Sequence, residues 1–204
     1  MSEVVISGTG LWKPQYTITN QELVASYNAY ADKHNETHAA EIASGVRTAK
    51  PQSSAEFIEK ASGIKSRYIY KKEGTLDIER MMPIIPPRAD AELSDQAEMA
   101  LHAAHKAMAV ANKTAKDIDV IIVACAYTQR SYPAIAIEVQ EALGVKGFGF
   151  DMLVACSAAT FGLHRAYEMI KAGTASCVMV INPCLLYTSP SPRDATLSRM
   201  PSSA

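Results

Sequence analysis

One stretch restricts the choice of fold more than any other: Val120-Ile121-Ile122-Val123-Ala124 is apolar at every position. A strand with one wet face alternates polar and apolar residues. A run without alternation belongs to a strand covered on both faces, as in a parallel sheet held between helical layers. The flanking segments agree. Ser94 caps a predicted helix running to Ala111, with Asp95 favourable in its first turn and an apolar stripe through Leu101, Ala104, Met108 and Ala111. Pro133 stands where the next helix begins and Gly144 where it ends. Phe148 to Leu153 reads as a strand, Cys156 to Ala172 as a helix stopped by Gly173, and Cys177 to Ile181 as another buried strand. Strand and helix alternate, which predicts a layered α/β domain.

The front of the chain is less regular. Val4 to Ser7 predicts a short strand, left through Gly8-Thr9-Gly10; a third glycine and a clear helix start are lacking, so a dinucleotide loop is rejected. Thr19 or Asn20 caps a predicted short helix through Leu23 and Tyr27. His34 and His38, four apart in a polar stretch, have no third ligand beside them and read as a solvated face, as do His102 and His105. Pro83, Pro86 and Pro87 among Met81, Met82, Ile84 and Ile85 predict a packed loop.

Charge excludes one class of partner. The formal net charge of −1 leaves no basic surplus for a phosphate backbone, so nucleic acid is not expected. No apolar run reaches the roughly 20 residues that span a bilayer, and the start Met1-Ser2-Glu3 lacks a secretion signal. A cytoplasmic location is expected. Four cysteines, Cys125, Cys156, Cys177 and Cys184, show no metal spacing; Cys125 and Cys177 read as small buried hydrophobes.

The text changes character at Cys184, where prolines and serines follow without periodicity. Cys184 to Asp194 and Ser198 to Ala204 can be encoded by strings that resemble the two ends of a transposase adapter used in short-read sequencing libraries. The expected organisation is therefore an incomplete domain over 1–183 and a non-native, disordered tail over 184–204.

Cys156 lies where an apolar strand ends and a helix starts, the place where α/β sheets put ligands. The unpaired N–H groups of a first helical turn favour thiolate over thiol, and the Cys156 N–H can serve as one donor of an oxyanion hole. Ala155, Ser157, Ala158 and Ala159 are small enough to admit a thioester. His164 is eight residues further on, about 12 Å along a helix, too far to act as its base. From position alone, a nucleophile and a packed core cysteine remain open alternatives.

Asp119 to Ala124, Tyr132-Pro133, Gln140-x-x-Leu143-Gly144-Val145-Lys146-Gly147, Phe150-Asp151 and Ala155-Cys156 together resemble beta-ketoacyl-[acyl-carrier-protein] synthase III, with Gly8-Thr9-Gly10 and Gly63 to Arg67 fitting the same pattern. The resemblance covers most of residues 4–182. It implies a thiolase-like α-β-α fold, of which the chain is the truncated amino-terminal half. It also implies an acyl-CoA primer loaded on Cys156, then condensed with malonyl-acyl-carrier protein after loss of carbon dioxide, with acyl-carrier protein as partner, a homodimer, and no cofactor beyond these substrates. The family's histidine and asparagine fall beyond Asn182. Phe57 matches a tryptophan that stacks on the CoA adenine; Ala61 replaces a common arginine, for which Lys60 or Lys65 could substitute. Tyr132 matches a phenylalanine that reaches across the dimer into the partner's primer pocket, against the alternative of packing at a helix entry. The segments 27–54 and 81–90 are longer than in short-primer members, which leads to an expected primer other than acetyl, such as a medium-chain acyl group. Two rivals stand: a related condensing enzyme of the hydroxymethylglutaryl-CoA synthase or polyketide/quinolone type, and an inert fragment.

Overall fold

The computed structural model describes residues 3–183 of the 204-residue chain; the adapter-like tail lies outside the described residues. In chain order the elements are β1 (Tyr16–Thr19), α1 (Asn20–Thr37), α2 (Ala39–Ala43), α3 (Ala55–Ser62), β2 (Ser66–Ile69), α4 (Asp95–Ala111), β3 (Val120–Cys125), α5 (Ile135–Leu143), β4 (Phe148–Leu153), α6 (Ala158–Lys171) and β5 (Val178–Ile181). They fall into two compact units, residues 13–86 and residues 3–12 with 87–183.

The second of these is the α/β layer structure that the sequence implies. β3 is the middle strand of a parallel sheet ordered β4-β3-β5, with Val120 opposite Phe148 and Val178. All six of its residues are buried. Ile121, Val123 and Cys125 face α4 and α5 through Ala97, Ala100, Ala104, Ile135, Ala136 and Val139. Val120, Ile122 and Ala124 face α6 through Ala158, Ala166 and Met169. Each fully buried Val or Ile contributes about 1.5–3 kcal/mol of transfer free energy, so this strand alone anchors the unit. Gly162 lets α6 lie close on the sheet: a Cβ there would stand 2.9 Å from Val180 Cγ1 and 3.0 Å from Ala124 Cβ.

Helix ends follow local chemistry. Ser94 Oγ accepts from the Ala97 N–H at 3.1 Å and starts α4, which ends at Asn112 in the left-handed region. α5 ends at Gly144 with φ 72°. Residues 3–12 correct one expectation: Val4 to Ser7 form no strand. Strand geometry needs a laddered neighbour, and this segment instead lies against α4, where Gly8 and Gly10 come so close to the backbone of Ala103 and Ala107 that a side chain would collide.

In the other unit, Thr19 starts α1 through a capping box with Glu22. The Lys72 ammonium, 2.5 Å away, and the Thr19 N–H hold the Glu22 carboxyl at about 2. α1 runs 18 residues, well past the predicted short helix. β1 and β2 form an antiparallel pair, Tyr16 opposite Ile69, over a small core of Ile18, Leu23 and Ile69. The rings of His34 and His38 meet in a tilted contact, centroids 4.7 Å apart, at the end of α1, and no cluster of three or more metal-ligating side chains occurs among the described residues. Met81 is buried in its loop, as expected of a packed segment, whereas Met82 is exposed.

Candidate active site

β3 and β4 end at the same level, Cys125 opposite Leu153. From there the chain leaves β3 toward α5 on one face and leaves β4 toward α6 on the other. Adjacent parallel strands whose connections part to opposite faces open a crevice at their carboxyl ends. Cys156 sits at that point. The sheet pairing extends one step further, with the Val154 N–H donating to Cys125 O at 3.2 Å. Ala155 then adopts φ 45°, a left-handed conformation that costs a residue with a side chain about 1–2 kcal/mol. A single 3-10 turn, Ala155–Ser157, follows before α6.

This corrects the expected helix from Cys156 to Ala172. The cysteine occupies the middle of the tight turn, and α6 begins two residues later at Ala158. The Cys156 side chain is exposed. The bonds that close the turn use the Ser157 N–H, to Val154 O at 3.1 Å, and the Ala158 N–H, to Ala155 O. Those of Ala155 and Cys156 are not among them. Ser157 provides no side-chain cap to α6. An exposed thiol next to backbone N–H groups that the turn does not use has the elements needed to attack a carbonyl and to stabilise the oxyanion that forms. The other thiols differ. Cys125 is buried, its Sγ 3.0 Å from Tyr127 O. Cys177 is only partly buried, and that burial pushes its thiol pKa up.

His164 lies two turns along α6, exposed and 3.7 Å from Glu168. Tyr132 is 89% exposed on the loop between β3 and α5, so it does not pack at the helix entry. Phe57 lies on α3 in the other unit, partly exposed, with its N–H on Ser54 Oγ at 3.1 Å. Of the two lysines near Ala61, Lys65 pairs with Glu59 at 3.2 Å.

Sequence reasoning missed a polar network at the same end of the sheet. Asp151, on β4, accepts from the N–H groups of Ile135 at 2.9 Å and Ala136 at 2.8 Å, and so caps α5 from a different element. Buried Glu138 accepts from the Ser94 N–H at 3.0 Å, Ser94 Oγ at 2.5 Å and Arg130 at 3.0 Å. Gln96 joins the strand ends by donating to Tyr127 O and Pro183 O. The signal was a charged residue inside apolar text, Asp151 in Phe148–Leu153 and Glu138 in Ile135–Leu143. A carboxylate there requires buried donors.

The chain is similar to known proteins in sequence and in fold. The family model for 3-oxoacyl-[acyl-carrier-protein (ACP)] synthase III matches residues 150–195. Beta-ketodecanoyl-[acyl-carrier-protein] synthase of Pseudomonas aeruginosa is 51% identical over 158 residues, covering 78% of this chain and 45% of that protein. The crystal structure of 3-oxoacyl-[acyl-carrier-protein] synthase III from Aquifex aeolicus VF5 superposes with a TM-score of 0.61 at 28% identity, over 87% of this chain and 43% of that one. The priming beta-ketosynthase of the R1128 polyketide pathway shares the fold alone, at 19% identity and a TM-score of 0.63, over 89% of this chain and 41% of that one. The chain thus belongs to the beta-ketoacyl-[acyl-carrier-protein] synthase III family, with a thiolase-like fold, and spans less than half the length of the relatives it matches.

Proposed function

We propose that this chain carries the acyl-accepting half of a condensing enzyme of fatty acid synthesis, with Cys156 as the nucleophile. The observation that carries the proposal is the exposed Cys156 in a strained turn at the carboxyl end of the sheet, beside amide groups that the turn does not use. In the first step the sulfur attacks the carbonyl of an acyl-CoA, the oxyanion rests on the turn N–H groups, and CoA leaves as its thiolate. In the second, malonyl-acyl-carrier protein loses carbon dioxide, the resulting enolate carbon attacks the Cys156 thioester, and the cysteine sulfur is released as a 3-oxoacyl product forms. Both substrates are thioesters, so the scheme uses no further cofactor. Phe57 is assigned to the CoA adenine and Tyr132 to the primer pocket of a partner subunit, for which its projection from the loop is favourable.

The primer is assigned as a medium-chain acyl group. The relative at 51% identity is named for a beta-ketodecanoyl product; a two-carbon extension to ten carbons starts from an acyl group of about eight. The long segments 27–54 and 81–90 agree with a primer other than acetyl. A homodimer is favoured by the outer edge of β4, which takes no strand partner among the described residues, and by exposed Phe148, Leu153, Phe161 and Tyr167 on β4 and α6. No helix among the described residues is long and apolar enough to cross a membrane; the proposed location is the cytoplasm. Condensation itself is assigned to the protein at full family length.

Mass spectrometry after incubation with octanoyl-CoA tests the assignment. One acyl group is expected on the peptide that bears Cys156 and none in Cys156→Ala. Labelling that persists in the alanine variant rejects the nucleophile. In a panel of acyl-CoA primers with the full-length enzyme, a sharp preference for acetyl-CoA rejects the medium-chain assignment.

A further inference from the structure

The loop between β3 and α5 is fastened on both sides of its one projecting aromatic residue. On the side nearer β3, the Gln129 N–H donates to Gln96 Oε1 at 2.5 Å, and Gln129 Nε2 to Asp95 Oδ2 at 2.8 Å. The Arg130 guanidinium then spans Glu138 Oε1 at 3.0 Å and the carbonyl oxygens of Ala89 at 3.0 Å and Asp90 at 3.4 Å. Glu138 is itself fixed by both the N–H and the hydroxyl of Ser94. On the side nearer α5, the Ile135 and Ala136 N–H groups are held by the two oxygens of Asp151. Only four residues separate Arg130 from Ile135, and Tyr132 is among them, exposed. Asp151 stands five positions before Cys156 on the strand that leads to its turn. A side chain held between the buried Glu138 and the half-buried Asp151 has little freedom to shift, and misplacement by about 1 Å changes what a site accepts.

We infer that Glu138 and Asp151 are positioning residues: they clamp the loop that carries Tyr132 in register with the strand that carries Cys156, and so set the length of acyl chain the nucleophile takes. This rests on the reading of Tyr132 as a primer-pocket residue. Neither carboxylate touches the reacting atoms. Charge at Glu138 serves to hold Arg130, and both oxygens at Asp151 serve to hold two amides; Glu138→Gln and Asp151→Asn each remove one of these features and keep the side-chain shape.

The test compares Asp151→Asn, Glu138→Gln and Tyr132→Ala in the enzyme at full family length. For each, kcat/KM is measured with eight-carbon and two-carbon acyl-CoA primers, together with the rate of Cys156 alkylation by iodoacetamide. The ratio between the primers is expected to change by about tenfold or more in all three, while Cys156 alkylation stays within about twofold of the parent. A uniform loss for both primers in the two carboxylate variants, or an unchanged ratio in them where Tyr132→Ala shifts it, overturns the clamp. Failure of the underlying reading shows differently, as absence of the acyl group from Cys156 in the parent protein or an unchanged ratio in Tyr132→Ala. Hydrogen exchange gives a second measurement on the 204-residue chain: faster exchange at Ile135 and Ala136 in Asp151→Asn, with the β3 amides unchanged, is expected. Equal acceleration across β3 overturns the local clamp.

Discussion

The ends of β3 and β4 lie side by side, yet they treat a cysteine in opposite ways. At the end of β3, Cys125 keeps strand geometry, is fully buried, and turns its sulfur to Tyr127 O. At the end of β4 the backbone first reverses at Ala155, and the cysteine that follows is thrown out of the layer. Residue type is the same in both places. What differs is whether the chain bends before or after the thiol, and that decides which sulfur is a packing group and which can meet a substrate.

Thiol labelling gives the largest test of this contrast. Cys156 should react with a small alkylating agent at once. Cys125 should react only through unfolding, slower by about a thousandfold or more at the marginal stability of an ordinary domain. Comparable rates, read by peptide mass spectrometry in native buffer, would break the comparison. A smaller test concerns the helix that carries the turn. Gly162→Ala drives a methyl group into Val180 and Ala124, at an expected cost of about 1–3 kcal/mol in denaturant unfolding. Loss of β5 and α6 protection ahead of β3 would show that the two strand ends are supported separately. The smallest effect is expected at the bend. Ala155→Gly removes the left-handed penalty but gives freedom to the unfolded chain. A net gain of up to about 1 kcal/mol follows, and a clear loss of stability would mean that the bend is not strained.

The parts legible in the sequence were those with local causes. β4 has the expected bounds and β3 runs one residue past Ala124 to Cys125; in β3, burial on two faces leaves no alternation to misread. α4 begins after Ser94 and ends at Ala111 because its cap and its left-handed stop are both encoded within a turn of the helix. Cys156 could be singled out by its position between a strand and small residues, though not the turn that presents it, since nothing in Ala155 announces a positive φ. The misses were non-local. Val4 to Ser7 has strand-like residues and lacks a laddered partner. β1 and β2 are four residues each and mostly exposed, so pairing defines them more than pattern does. Asp151 caps a helix that starts 16 residues earlier, a link that spacing rules for capping do not cover. Unsatisfied amides found their acceptor across the fold.

The three-stranded sheet has two flanks of unequal consequence. Among the described residues, β5 and β4 each pair only with β3, so their outer hydrogen-bonding groups take no strand partner there. A strand that docks along β5 would widen the platform at a distance from the thiol. One that docks along β4 would border the segment that ends in the bend before Cys156, and would lend that bend rigidity it cannot draw from its own residues.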